Sequence, residues 1–394
     1  MTPRETEIHN LIASHPLITQ QEIADALQIT RSSVSVYITA MMRKGIIKGR
    51  GYIVEKGVLD ASAYPLVVGT MAADIIGEAS SPIPKEGARI IDGADISCSY
   101  GGCAKHIAEN LLRFGYAPRV ISAVGNDAFG KGILAECQEH GIAADDSLVL
   151  EGFPTSIYME TRSSESDSFQ LGLVNCKIMD YITPEFLHTK YLLMKNASQV
   201  VLDDSMQAEA FEHITSAYSG GRLYLVTSAR ATRLLPYLSR FSGIVASVKN
   251  LLFLFPDLAP SVRPASYAQE AAISVALRLM GIGVRCCLFT FSDGTLCYFS
   301  DSKLSVIQCN FRDGASEDPM YQRFTQIRDS IAAALVYGHD QEYPVETLLR
   351  FVAATRRAAV LSKRYVNHDL SLARIRAALE VLDDRISVHN LGSM

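Results

Sequence analysis

Three groups of side chains in this sequence have the types and spacing to do chemistry. Residues 31–35 read Arg-Ser-Ser-Val-Ser, so Arg31, Ser32, Ser33 and Ser35 bring a guanidinium and three hydroxyls to one short stretch, with Lys48 and Arg50 further on. Such a set can donate hydrogen bonds to base edges and to phosphates. The second group combines carboxylates with glycines: Asp74 after the Gly69-Thr70 pair, Gly101-Gly102 followed by Lys105 and His106, and Arg328-Asp329 ahead of a small-residue run ending at Gly338. A carboxylate in such a place either caps an element or faces a ligand, and a glycine pair is either a tight turn or a point of close backbone approach. The third group is the polar turn Thr290-Phe-Ser-Asp-Gly294, which holds Thr290, Ser292 and Gly294.

The elements that must position the first group are legible. Ile8, Leu11 and Ile12 stand at helical spacing in residues 4 to 14, and Pro16 ends that helix. Thr19-Gln20-Gln21-Glu22 is a capping box, which opens a second helix burying Ile23, Ala24 and Leu27. Thr30 caps a third, Arg31 to Arg43, with Val34, Ile38 and Met41 inward and Arg31, Ser32, Ser33, Ser35 and Tyr37 outward. Followed by the ribbon Gly45 to Val54, the three helices resemble a winged helix-turn-helix. In that arrangement the third helix enters the major groove of DNA, while Lys48 and Arg50 on the wing reach phosphates. The bland alternative is a three-helix packing or dimerisation module that touches no DNA.

Residues 57–63 read as a linker between a head, 1–56, and a body, 64–394. In the body, strand-like apolar runs recur at Tyr64 to Thr70, Val120 to Val124, Tyr191 to Met194, Gln199 to Leu202, Leu223 to Thr227, Ile244 to Val248 and Cys286 to Phe291, with helical stretches between them. That alternation predicts an α/β domain with a mostly parallel sheet covered on both faces and a ligand site at the strand C-termini.

Composition narrows the class. The 394 residues are 48% hydrophobic and 20% charged, with no apolar run long enough to cross a bilayer. The start lacks a signal-peptide pattern, so the cytoplasm is the expected location and no membrane partner is expected. The eight cysteines (98, 103, 137, 176, 286, 287, 297 and 309) form no C-x-x-C pair and are expected to be reduced thiols. The net charge of -5 is uneven: residues 1–56 carry seven Lys/Arg and five Asp/Glu, so a weakly basic head precedes an acidic body.

Ser99 to Gly115 is similar to the Gly-Gly-x-Gly-x-Asn-x-Ala signature of the ribokinase-like (PfkB) carbohydrate kinases, and Val124 to Gly130 matches their Val-Gly-x-Asp-x-x-Gly. Ala334 to Gly338 resembles the end of the helix that follows the family's catalytic aspartate. The resemblance covers about residues 64 to 380 and is nearest to bacterial members with an N-terminal helix-turn-helix, whose relatives include pseudouridine and other nucleoside kinases. It implies a three-layer α/β/α domain with a small β lid, ATP and Mg²⁺ as cofactors if active, and a sugar or nucleoside ligand. It also implies residue roles: Asp74, Gly101, Gly102, Lys105 and His106 on the substrate side, Thr290, Ser292 and Gly294 on the nucleotide side, and Asp329 as base.

The departures gather at that site. Gly-Ala-Gly before the base has become Gln326-Ile327-Arg328, which removes the bare amides expected to hold a transferring phosphoryl group at a helix start. Ala72, Ala104 and His106 replace usual Asn, Gly and Asn, the magnesium-organising Asn-x-x-Glu reads Asn250 to Phe253, and Ser292 replaces a glycine. Arg328 is a candidate phosphate clamp, or else pairs with Glu317 or Asp318; an alternative alignment would place the anion-hole motif at Asp313 to Asp318. The leading expectation is a DNA-binding regulator, a homodimer by the logic of paired half-sites, whose kinase-like domain binds a sugar or nucleoside with weak or absent transfer. An active kinase with an ancillary head is the second reading, and two assembly modules the third.

Overall fold

The computed structural model describes residues 1–14, 18–47, 64–79, 90, 93–163, 168–227, 231–247, 255, 257–258, 268–290, 296–300, 303–309, 324–360, 362, 366–382 and 386–393. The head is three helices, α1 Pro3–Ser14, α2 Gln20–Leu27 and α3 Arg31–Arg43. Thr19 accepts from the Glu22 amide while the Glu22 carboxylate takes the Thr19 amide at 2.7 Å, so the capping box forms with both halves present. Thr30 caps α3 through the Ser33 amide. Ile8, Ile12, Ile23, Ala24, Val34, Ile38 and Met41 form one buried cluster with Ile46 and Ile47 beyond α3. The rest of the expected wing, Lys48 and Arg50 included, and the expected linker lie outside the described residues.

The body is built on a nine-stranded sheet. Its strands are β1 Tyr64–Val68, β4 Arg119–Ile121, β9 Ala197–Asp203, β10 Arg222–Val226, β11 Gly243–Ser247, β12 Cys286–Thr290, β13 Leu296–Ser300, β14 Lys303–Cys309 and β15 Ile386–Ser393, in the order β15-β14-β13-β12-β11-β10-β9-β1-β4. From β12 to β4 every pairing is parallel, and β13 to β15 add an antiparallel edge. Alternate residues serve opposite faces. Leu66, Val68, Val200, Leu202, Leu223 and Leu225 meet α8, Ala208–Ala217, and α9, Ala268–Ile282, whereas Val67, Val201, Tyr224 and Val226 meet α4, Cys103–Arg113, α10, Phe324–Asp340, and α11, Val345–Val360. Buried on both sides, these strands read as continuous apolar runs.

A second sheet stands apart in the order β3-β2-β7-β8, from β3 Asp95–Gly101, β2 Ala72–Ala79, β7 Ser156–Ser163 and β8 Ser168–Asn175. It is the small β lid expected of the fold, and Asp74 lies within its strand β2 instead of capping a helix. A two-stranded pair, β5 Ala123–Gly125 and β6 Leu148–Leu150, divides the run expected as one strand from Val120 to Val124, and α5, Ala128–His140, follows it.

One expected strand is a helix. Tyr191 to Met194 lies in α7, Tyr191–Lys195, directly after α6, Pro184–Thr189. A four-residue apolar run does not distinguish strand from helix by periodicity. Here the helical turn sends neighbouring side chains to two cores: Leu193 and Met194 join the sheet cluster, while Leu192 is buried in the head cluster. The Tyr64 hydroxyl donates to the Leu193 carbonyl at 2.8 Å, and the Lys190 ammonium to Asp146 at 2.8 Å, which anchors this elbow to the body. Gly45, at φ +71, passes so close that a Cβ there would stand 2.4 Å from the Thr189 carbonyl oxygen.

Leu192→Ala should therefore loosen the head, since it empties a filled core site, at a cost of about 2–5 kcal/mol. Hydrogen exchange should rise across residues 4–47 while β9 and β10 stay protected. Unchanged exchange in the head would mean that Leu192 does not hold it.

Candidate active site

Small residues bring the site together. Ala332, Ala333 and Ala334 let α10 pack closely on α4, beneath the lid end of β2. That approach sets Asp329 of α10 against His106 of α4, with Nδ1 to Oδ2 at 3.1 Å, and the other ring nitrogen stands 3.1 Å from Asp74 Oδ2. Gly101 makes this possible. A Cβ there would lie 1.9 Å from Asp74 Oδ2 and 2.3 Å from His106 Nε2. Gly102, at φ +90, precedes α4 where a Cβ would meet the Thr70 carbonyl at 2.5 Å, so both glycines are required by close approach.

Asp329 is saturated by its neighbours. Its Oδ1 receives Arg328 Nε at 2.9 Å, Arg328 Nη2 at 2.8 Å and the Cys103 thiol at 3.3 Å, and its Oδ2 faces His106. The result is a buried row of alternating charge, Asp74, His106, Asp329, Arg328. Burial opposes charge on His106, but hydrogen bonds to Asp329 and Asp74 overcome it and raise its pKa to about 9. Burial likewise opposes the Asp329 carboxylate, while Arg328 and then His106 pull its pKa below the usual value. The Arg328 guanidinium is held charged by Asp329 against its own burial. Asp74 Oδ2 differs from Asp329: it is buried with His106 Nε2 at 3.1 Å beside it and no other donor among the described residues.

The predicted site residues therefore divide. Asp74, Gly101, Gly102, His106, Arg328 and Asp329 come together. Lys105, next to His106 on α4, turns its ammonium to Glu109 at 2.5 Å and Glu136 at 2.7 Å, where His140 completes a cluster of three potential metal ligands. The ammonium is the cation that this cluster holds. Arg328 points inward to Asp329, and Glu317 and Asp318 lie outside the described residues, as do Ser292, Gly294 and Asn250 to Phe253. Thr290 closes β12 with a buried hydroxyl that has no partner among the described residues. Asp329 is also not at a helix start. The helix α10 begins at Phe324, so the carboxylate lies about 7 Å in, because Gln-Ile-Arg favours helix where glycines would stop it.

Sequence reasoning missed the floor of the cleft. Asp203, at the end of β9, accepts from the Thr70 amide at 2.7 Å and the Ser205 amide at 3.0 Å, and it excludes any side chain at Gly69. Asp204 Oδ2 accepts from the Thr227 hydroxyl at 3.0 Å. The signal was present in the doubled acid of Val201-Leu-Asp-Asp-Ser205 at a strand end. On the head, Arg31, Ser32 and Ser35 are exposed along α3, and Ser32 and Ser33 share hydroxyl contacts with Thr30 at 2.8 and 2.9 Å. Val36, 68% exposed, and Arg43 extend this face beyond the residues anticipated, around a shallow recess that also involves Thr39.

Residues 63–242 match the pfkB family carbohydrate kinase model, and residues 1–48 match a winged helix-turn-helix DNA-binding model. The chain carries a PfkB carbohydrate kinase domain behind an N-terminal winged helix-turn-helix. It is 36% identical over 214 residues to an uncharacterized sugar kinase, YeiI, of Escherichia coli, covering 54% of this chain and 57% of that protein. It is 24% identical over 151 residues to the pseudouridine kinase of E. coli, covering 38% and 47%. The chain thus spans about half the length of these curated relatives. The ribokinase of Arabidopsis thaliana, solved with ribose and ATP, superposes with a TM-score of 0.61 at 18% identity over 81% of this chain and 99% of that one, a likeness of fold. No helix among the described residues is long and apolar enough to cross a membrane.

Two histidines give stability a pH optimum. His106, raised to about 9, contributes stability that is complete below its unfolded pKa near 6.5 and is lost as pH climbs through 9. His339 is half-buried between the Tyr224 and Tyr298 hydroxyls at 3.0 and 3.1 Å, and desolvation first, then Arg222, lowers its pKa to about 4. Its contribution is present above pH 6.5 and is lost as pH falls toward 4. Each limb should amount to at most roughly 3 kcal/mol. Urea midpoints across pH 4 to 10 should peak between the limbs, with His106→Asn flattening the alkaline side and His339→Gln the acid side.

Lys105→Met should cost about 3–5 kcal/mol, by leaving Glu109 buried without its cation. Binding of a ligand at Asp74 should not change. Lost affinity at retained stability would return Lys105 to the ligand site.

Proposed function

We propose that the chain is a DNA-binding regulator whose PfkB domain binds a sugar or nucleoside and has weak or no phosphoryl transfer. One observation carries this reading: both oxygens of Asp329 are occupied by Arg328, Cys103 and His106. A general base must take a proton from the ligand hydroxyl in the transition state, and its efficiency falls as its pKa drops below the working pH. Asp329 is depressed by two cations, and each of its oxygens already accepts from a neighbour. Asp74 has only His106 beside its buried Oδ2 among the described residues, so the group that would bind a hydroxyl is less committed than the group that would deprotonate it.

The head supports the regulatory half. Its capped α3 presents Arg31, Ser32, Ser33 and Ser35, with Val36 beside them, and its core is completed by Leu192 of the body. A ligand that moves the lid would act on β8, then on the turn and helices that lead to α7, and so on the seat of the head. A homodimer would match two half-sites, and Lys48 and Arg50 would serve phosphates.

The second reading is an active sugar or nucleoside kinase using ATP and Mg²⁺. It is favoured by the relatives that are named kinases and by the buried Thr290 hydroxyl, which has no partner among the described residues. If ATP and Mg²⁺ bind, they supply the phosphoryl group and its charge neutralisation; Asp74 orients the acceptor hydroxyl.

Incubating the full chain with ATP, Mg²⁺ and ribose, uridine or pseudouridine should give turnover no faster than the Asp329→Asn variant. Turnover abolished by Asp329→Asn would make the kinase reading primary. On the DNA side, Arg31→Ala should weaken binding to a selected duplex by about 1–3 kcal/mol and relax sequence preference. A full chain with no salt-dependent affinity for any duplex would end the regulator reading.

A further inference from the structure

The lid pairings place an unassigned recess in line with Asp74. Asp74 pairs with Tyr158, and Tyr158 with Val174, so the three side chains share one face of the lid in a single cross-strand row. Ser156, opposite Ala72 on that face, has a buried hydroxyl without a partner among the described residues. Two strand spacings of about 4.8 Å separate Asp74 from Val174. At Val174 the row opens into a recess of about 440 Å³, closed by Asn175, Lys177, Asp180, Gln207 and Arg233.

The donors of this recess are only partly used. Arg233 gives Nη2 to the Asp204 carbonyl at 2.8 Å and Nη1 to Gln207 at a long 3.5 Å, while its Nε is buried with no acceptor among the described residues. Lys177 is exposed at the rim. The one carboxylate of the recess, Asp180, is tied to the Gln207 amide. Two cations thus face one engaged anion in this recess, two strand spacings along the lid face from Asp74.

We propose that this recess is an anion subsite, and that the ligand is a polyol with a terminal phosphate or carboxylate about 10 Å from the hydroxyl that meets Asp74. Arg233 supplies charge-assisted hydrogen bonds and Lys177 a point charge, and Gln207 holds the guanidinium in place. The inference rests on the reading of the PfkB domain as a polyol-binding unit, and it adds what the other end of that polyol must be.

The test uses the full chain and matched probes by calorimetry: ribose with ribose 5-phosphate, uridine with uridine 5′-monophosphate, gluconate as a carboxylate, and inorganic phosphate alone. The phosphorylated or carboxylated member should bind at least about tenfold more tightly than its neutral partner. Arg233→Gln should erase that advantage and Lys177→Gln should reduce it, both leaving the neutral probe's affinity unchanged. A gain for gluconate without one for the phosphates would assign the subsite to carboxylates. Equal affinity within each pair, or an advantage that survives Arg233→Gln, overturns the subsite while leaving the polyol reading intact. Phosphate-dependent binding that ignores Asp74→Ala would keep the subsite and remove the polyol contact. Failure of every probe overturns both.

Discussion

The row of alternating charge from Asp74 through His106 and Asp329 to Arg328 is the constraint on which the site depends. Each member is buried, so each is tolerable only beside its neighbours; removing one would leave an uncompensated charge in a low-dielectric interior. The row also crosses the fold, joining the lid strand β2, helix α4 and helix α10. Gly101 is bare because the row leaves no space for a side chain. Lid, sheet and helical layer are therefore coupled at one electrostatic point, and a ligand donating to Asp74 acts on all three.

A second coupling is apolar. The helix α7 has five residues and no independent stability, yet it divides its side chains between the head core and the sheet core. It leads directly into β9, which ends at Asp203 under the Thr70 amide. The head is thus seated on a segment that ends, one strand later, in the floor of the cleft. Continuity of packed elements gives such a coupling a physical path.

Local chemistry was readable wherever it was decided by neighbours in sequence. The Thr19–Glu22 box, the Thr30 cap, the inward Val34, Ile38 and Met41, and the parallel strands from Gln199 to Phe291 all follow from short-range pattern, and the structure forms them. What failed was decided by tertiary partners. Tyr191 to Met194 became helix because two cores compete for its side chains. Asp74 moved into a strand because the lid pairs on both sides of it. Asp329 moved inside a helix because loss of the glycines extends α10. Arg328 turned inward because the nearest buried carboxylate is its own neighbour, and no spacing rule could show that His106, where an asparagine is usual, would bridge two acids.

That histidine bears on why a kinase-like scaffold would keep its ligand side and lose its transfer side. A catalyst must hold the transition state more tightly than the substrate, which calls for a base with free lone pairs and an anion hole that binds only the developing charge. A sensor needs only different affinities for a ligand in two conformations. A neutral asparagine at position 106 would remove the cation that stands between the two acids. An imidazolium satisfies both acids in advance, so the cleft is stable when empty and a ligand hydroxyl competes with His106 only for Asp74. On the proposed reading, the histidine that would silence the base also gives the empty site a defined resting state, which a regulator requires.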